Sequence, residues 1–458
     1  MVDSILKKEA TILVVFSLLV LLANAIEGAS PVLSLLCLAL SLLFVSEEKK
    51  KTGSVISVQS VFIGIWLLTV GLSLLKLHPA QMAWALETQV CVIATPSAFW
   101  LGNLVVIHFP IGALQRNSRK DESRICRKWE LPADRVSCLF GLAILFAFGL
   151  DIWKSGGLPV LSNDPAAYMN FGMKYVHYIT VMGGIYPSVV FLVHKRGGFE
   201  DSDKLVKVFV ALCLCVTLVL PILIVSRQLM VLELFVFSVT YLIEERKESR
   251  VKVWHLLAAA LVGFIAWCIM SLFRNQGPEY LASVFMLPPS HSKVEMAAWQ
   301  IYLYSSFNYD NFDAAIRNLT ESTAGAYSLL PAYVLTGDGA YAKDLITSLV
   351  LDRALPTFNT YSIMLPPFCD AGILGLIVYM FVLGFACRAI ERRTRANRGL
   401  TTIVAYSLVL YSLAIAFFTN EFALPVFWVY LICLFGLTVI MNVKTLREPL
   451  LKEREGLK

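Results

Sequence analysis

Two arginines stand where an apolar chain tolerates few charges. Arg227 lies in "PILIVSRQLMVLELF", inside an apolar run from Leu205 to Ile243, and Arg274 closes another run in "CIMSLFRNQGPEY". A guanidinium presents a planar fork of donors that grips phosphate oxygens bidentately. Two such forks on neighbouring helix ends suit a pyrophosphate. A plainer reading makes Arg227 a lipid-phosphate anchor. Glu233 does not relieve it locally, because six residues along a helix is not a pairing distance. Candidate proton acceptors are few: Asp370 at the head of "DAGILGL", Glu421 in "TNEFALP", Asp310 and Asp313, and the histidines His177 and His291. Each also has a bland role as a helix cap or solvated side chain, and Asp370 suits a helix N-terminus. No C-x-x-C or H-E-x-x-H pattern exists among the residues, so no metal site is expected.

The elements that must position these groups follow from composition. The 458 residues are 57% hydrophobic and 16% charged, which describes an all-α polytopic membrane protein. Runs long enough to cross a hydrocarbon core of ~30 Å fall near Ala10–Ile26, Pro31–Val45, Val55–Leu75, Met82–Phe109, Val136–Trp153 and Tyr178–Val193. Six more fall near Leu205–Val225, Gln228–Ile243, Val253–Phe273, Pro367–Cys387, Leu400–Phe418 and Leu424–Met441. About 12 transmembrane helices are therefore expected. The run from Leu205 to Ile243 would measure about 58 Å as one helix, twice the core. It must fold back, with Ser226-Arg227-Gln228 at the tip of a hairpin.

Basic residues concentrate in cytoplasmic loops. With both termini inside, 30 of the 39 lysines and arginines fall on that side and 9 outside. The start, "KKEATILVVFSLLVLLANAIEGA", has the features of a secretory signal, but further spans follow and an uncleaved first helix is expected. The net charge of +6 then belongs at the anionic inner leaflet and not on nucleic acid. Three regions result: 1–274 with nine spans, an outer loop 275–358, and 359–458 with three spans and a tail. In the loop, Ser290 or Ser292 is placed to cap "KVEMAAWQIYLYSSF" and Asn311 to cap "FDAAIRNL", while "GDGAYAKDLITSLVLDR" carries one apolar face. "GAYSLLPAYVL" is too short to span and reads as re-entrant or interfacial. The loop's many Tyr and Trp residues belong at a membrane interface or under sugar rings.

Over roughly residues 222–398, the arginine of "VSRQLMVLELF", that of "SLFRNQG", the long loop and "PTFNTYSIMLPPFCDAGILGLIVYMFVLGFACRAIERR" together resemble the Wzy-type oligosaccharide repeat unit polymerases. The resemblance implies a GT-C-like glycosyltransferase of the bacterial inner membrane that needs no metal or other cofactor. It would join undecaprenyl-diphosphate-linked glycan donor and acceptor into O-antigen, capsule or a related polysaccharide at the periplasmic face. Membrane lipids, a chain-length regulator and a flippase are its expected partners. On that reading Asp370, Glu421 and His177 are the candidates for catalysis, and Arg227, Arg274, Arg317, Arg353, Asn359 and Tyr361 for substrate binding.

Two other readings stay open. Lipid-linked glycan ligases share the fold class and the arginine logic. A lipid or solute transporter would show internal repeats and broken helices near the midplane, and the halves show no convincing repeat; its best argument is the acidic residues Glu87, Asp151 and Glu233 inside spans, of which Glu87 and Asp151 lie near the outer ends and only Glu233 is deep.

Overall fold

A computed structural model describes residues 2–26, 31–108, 132–164, 167–251, 277–289 and 292–441, with isolated positions between 252 and 276. The expected ninth span (Val253–Phe273), the basic loop before residue 132 and the tail after residue 441 lie wholly or largely outside the described residues.

Every regular element among the described residues is helical. In chain order these are α1 (Val2–Ala25), α2 (Pro31–Thr52), α3 (Val58–Ser73), α4 (Leu86–His108), α5 (Ala133–Ser155), α6 (His177–Thr180), α7 (Tyr186–Lys195) and α8 (Lys204–Leu223). There follow α9 (Arg227–Glu244), α10 (Pro278–Val284), α11 (Lys293–Arg317), α12 (Leu330–Thr336), α13 (Gly339–Ser348), α14 (Leu365–Ala396), α15 (Leu400–Ala414) and α16 (Pro425–Met441). Five of them, α2, α4, α5, α8 and α14, are long and apolar enough to cross a membrane, and α3, α15 and α16 are shorter apolar helices. The protein is a multi-pass membrane protein. Many large apolar side chains face outward, Leu35, Phe146, Leu205 and Phe435 among them, as a surface solvated by lipid requires.

With no hydrophobic drive between helices in lipid, close backbone approach decides which spans meet. The tightest contact is α4 on α14. There Gly102 lies against the backbone of Phe381 and Gly384 against that of Phe99, so a β-carbon at either position would overlap main-chain atoms. At the basic end of the bundle, charges expected to be solvated are partly buried and paired. Lys51 holds Glu9 at 2.7 Å and also contacts Glu48. Arg388 and Arg395 clasp the fully buried Glu391 at 2.7 and 2.8 Å. The Lys51–Glu9 pair ties α1 to α2, and Arg388, 3.6 Å from Glu48, ties α14 to α2.

The long run at residues 205–243 is broken as its length requires, with α8 and α9 meeting at Ile224–Ser226. Elsewhere the structure corrects local expectations. Ser292 caps α11, its hydroxyl accepting from the Glu295 N–H at 3.2 Å, but no second helix begins at Asn311. α11 continues through it to Arg317, because Asn311 spends its amide on another strand of chain. Its Nδ2 donates to the carbonyls of Phe358 and Thr360, and its Oδ1 accepts from the amides of Ala354 and Leu355. The expected sixth span is broken into α6, a 3-10 turn at Val181–Gly184 and α7. "GAYSLLPAYVL" forms only the seven-residue α12. α11 itself packs on α3 and α4, so the loop region caps the bundle at the end opposite the basic network.

Candidate functional site

The hairpin tip is built by a cap and a strained residue. Val225 adopts φ 54°, turning the chain sharply. Ser226 then caps α9, its Oγ accepting from the Leu229 N–H at 3.2 Å. Arg227 follows as the first residue of α9 and is 96% buried, with 4% of its surface exposed. Gln228, beside it, is exposed; its Nε2 donates to Glu421 Oε1 at 2.8 Å. Glu421 begins a 3-10 turn, Glu421–Ala423, between α15 and α16. That turn is fixed on both sides: Tyr379 donates to Asn420 Oδ1 at 3.1 Å, and the Trp428 indole to the Phe422 carbonyl at 2.9 Å. Tyr411 also donates to the Gln228 carbonyl at 3.4 Å.

Glu421 is buried, and burial pushes its carboxyl up to about 7, against the downward pull of the Gln228 hydrogen bond. Asn420 is buried too, and its Nδ2 has no hydrogen-bond partner among the described residues. An unspent donor beside an easily neutralised carboxyl is unusual, because buried polar groups are normally paired. Through the Gln228–Glu421 bond the start of α9, which carries the buried Arg227, meets a turn that holds an available amide donor and a carboxyl pushed up toward neutrality. Sequence reasoning identified Arg227 and Glu421 separately and did not connect them; Gln228 and Asn420 carried no distinguishing signal.

Asp370 occupies a different setting. It ends the first segment of α14 just before a kink at Ala371 and Gly372, the latter at φ 61°. Its Oδ1 accepts from Thr323 Oγ1 at 2.5 Å and from the amides of Gly325 and Tyr327 at 3.0 and 3.1 Å. Its Oδ2 accepts from the Ser328 amide at 2.9 Å. The main chain adds Ser322 Oγ on the Asp370 carbonyl at 2.6 Å and the Thr323 amide on the Cys369 carbonyl at 3.0 Å. Four donors on one buried carboxylate make it a latch for the segment 322–328, not the cap of a span. Tyr327, near both Asp370 and Tyr361, has its phenol pushed up to about 12 by burial, so it remains a hydrogen-bond donor.

The remaining candidates are distributed. Arg353 donates from Nε to Tyr361 Oη at 2.8 Å and from a terminal nitrogen to the Pro356 carbonyl at 3.3 Å. Tyr361 is buried beside a turn in which the amides of Ser362 and Ile363 donate to the carbonyls of Phe418 and Ala416 at 3.3 and 2.7 Å. Asn359 is exposed. Arg317 forks onto Asp313 with bonds of 2.9 and 2.6 Å. It lines a separate cavity of about 510 Å³ with Asn24, Lys76 and Gln81. There the buried Asp310 accepts from Lys76 at 2.6 Å, Gln81 at 2.9 Å and the Trp84 indole at 3.0 Å. Asp310 and Asp313 thus fasten the α3–α4 connection to α11. Arg274 and His291 lie outside the described residues. No cluster of three or more His, Cys, Asp or Glu side chains occurs among the described residues.

His177 opens α6 with its Nδ1 2.8 Å from Asp151 Oδ2. α6 continues into the turn Val181–Gly184, which packs on the first turns of α9: a β-carbon on Gly184 would meet Leu229 and Leu232 at 2.7 and 2.8 Å. The Tyr430 hydroxyl of α16 donates to the Val181 carbonyl at 2.9 Å. The helix holding His177 is thereby joined to both elements that flank the Arg227–Glu421 meeting point.

A family model described as "Putative O-antigen polymerase" matches residues 6–430, nearly the whole chain. No curated protein and no solved structure matches it.

Proposed function

Since the chain belongs to the O-antigen polymerase family, we propose that its polymerase role in O-antigen assembly is glycosyl transfer from a polyprenyl-diphosphate-linked glycan, with the diphosphate held at the meeting of the α8–α9 tip and the 420–421 turn. The observation that carries this reading is the Gln228–Glu421 hydrogen bond, which joins the turn that opens on the buried Arg227 to the turn that holds the unspent Asn420 Nδ2. The leaving group is a diphosphate whose charge develops as the glycosidic carbon departs, and fixed donors in a poorly hydrated site stabilise such charge without reorganising. Arg227 supplies a fork and Asn420 a single neutral donor.

Glu421 fits the same role through its displaced titration. A fully ionised carboxylate there would repel a diphosphate, whereas one that titrates near 7 takes up a proton as the anion arrives. The proposed donor side is the loop end of the bundle, taken as the periplasmic face of the inner membrane, with both termini on the cytoplasmic side. The charge bias of the sequence supports that orientation. Asp370 keeps the segment 322–328 closed over α14 and so shapes the site without meeting substrate.

The test is chain extension by purified protein supplied with a polyprenyl-diphosphate repeat unit, resolved as a ladder on a gel. Arg227→Lys keeps the charge but loses the planar fork and is expected to reduce extension at least tenfold at unchanged expression. A ladder of normal rate from Arg227→Lys would leave the arginine as a lipid anchor. Transfer to a lipid A core acceptor in place of a ladder would favour a ligase.

A further inference from the structure

Resting on the polymerase reading above, we propose that His177, oriented by Asp151, takes the proton from the sugar hydroxyl that attacks the donor.

Asp151 sits in the last turn of α5 and is fully buried. Its Oδ1 accepts from the Met173 amide at 2.8 Å; its Oδ2 accepts from Thr180 Oγ1 at 2.7 Å and faces His177 Nδ1 at 2.8 Å. A bare acid of this kind inside a span would be costly; here three donors converge on it. With the carboxylate as acceptor the shared proton lies on Nδ1, and the tautomer this bond selects carries its lone pair on Nε2. Nε2 has no hydrogen bond among the described residues, and 35% of the His177 side chain is exposed.

The ring is held on its other sides. Phe171 meets it edge-on, centroids 6.0 Å apart at 82°. Gly172, at φ 109°, closes over it so tightly that a β-carbon there would stand 2.7 Å from Nδ1. The Gly172 amide is in turn fastened to Ser155 Oγ at 2.9 Å. This is the arrangement of a base with an orienting partner: a nitrogen aimed outward, a tautomer fixed from behind, and little rotational freedom.

The position suits the reaction. A proton acceptor for the attacking hydroxyl is best kept apart from the group that holds the departing diphosphate, because the two act on opposite ends of the bond exchange. Glu421 belongs to the diphosphate side, and Asp370 has its lone pairs filled. His177 is on the neighbouring element, connected to α9 through the turn Val181–Gly184.

In the step, the acceptor O–H bond breaks as its oxygen bonds to the anomeric carbon. The bond from that carbon to the diphosphate oxygen breaks with its electron pair leaving on the diphosphate. The proton passes to Nε2, and the buried Asp151 carboxylate stabilises the imidazolium until water removes the proton from the exposed edge. His177 would be the catalytic residue and Asp151 a positioning residue.

The experiment is steady-state extension by full-length protein in detergent with a polyprenyl-diphosphate repeat unit. His177→Ala is expected to lower kcat by roughly 10²- to 10⁴-fold, the usual contribution of a general base, with KM within about threefold, and added imidazole should restore part of the rate. Asp151→Asn should also lower kcat, since an amide can present its donor to Nδ1 and stabilise the wrong tautomer. Its melting temperature, measured alongside, separates that effect from misfolding. Wild-type rates from His177→Ala, or a loss that appears in KM and gains nothing from imidazole, would overturn the assignment. No ladder from the wild-type protein would instead overturn the polymerase reading itself, so the two failures are distinguishable.

Discussion

Replacing Glu421 by Gln should make the protein's stability less sensitive to alkali, by an amount the structure sets. Burial lifts this carboxyl from its ordinary 4.5 to about 7. At roughly 1.4 kcal/mol per pH unit, the ionised form costs about 3 kcal/mol more in the folded protein than in the unfolded chain. The folded state therefore binds more protons than the unfolded state between these values. Stability is unaffected below about pH 4.5, falls as pH rises through the interval, and carries the full penalty above about pH 7. Glu421→Gln removes the titration while keeping an oxygen that accepts from Gln228 Nε2. The variant should thus gain on the wild type by up to about 3 kcal/mol between roughly pH 5 and pH 8.5, a few degrees in melting temperature for a chain of this size. Paired thermal melts in one detergent across that interval measure it. A gap between the two proteins that stays constant with pH would refute the reasoning, because it would mean that Glu421 is ionised throughout.

Other consequences are as direct. Glu421→Gln should cost less than tenfold in extension rate while Arg227→Lys costs more, read from initial rates of ladder formation at neutral pH. Asp370→Ala leaves four donors without their acceptor and should destabilise by several kcal/mol; faster proteolysis near residues 322–328 would report it, and an unchanged digest would count against the latch. Gly384→Val drives a branched side chain into the backbone at Phe99 and should abolish a folded monodisperse species by gel filtration, whereas Gly436→Val, with open space around it, should not. A cysteine introduced by Ser348→Cys should react with a membrane-impermeant reagent on intact cells and one introduced by Arg246→Cys should not; reaction of the second alone would reverse the orientation.

The fold was legible wherever a run of apolar residues had to obey the thickness of a bilayer. The hairpin at residues 224–226 follows from length alone, because 39 apolar residues cannot be one span. What length does not reveal is local breakage. The segment Tyr178–Val193 reads as an unbroken span, yet Gly183 and Gly184 admit Leu220, Leu229 and Leu232 so closely that the chain tightens into a 3-10 turn. Asn311 failed in the other direction. Its type suggests a cap by local hydrogen bonding, but partners at residues 354–360 satisfied the side chain and let α11 run on.

The site was legible in its charges and hidden in its partners. Arg227 announces itself as a charge within a long apolar run, and Glu421 because carboxylates are scarce in the loops expected outside. Which of them act together depends on contacts 193 residues apart, such as Gln228 on Glu421, and no spacing rule reaches that far. Asp151 shows the same lesson with more consequence. From sequence it reads as an acidic residue near the outer end of a span, with no partner in view. Its three donors come from positions 22 to 29 residues further along, and only Thr180 among them lies in the stretch that reads as the sixth span. His177, the first residue of α6 and just outside that stretch, turns a ring nitrogen onto the acid. The acid near the end of α5 is then accounted for by the main-chain amide, the histidine and the threonine that it holds.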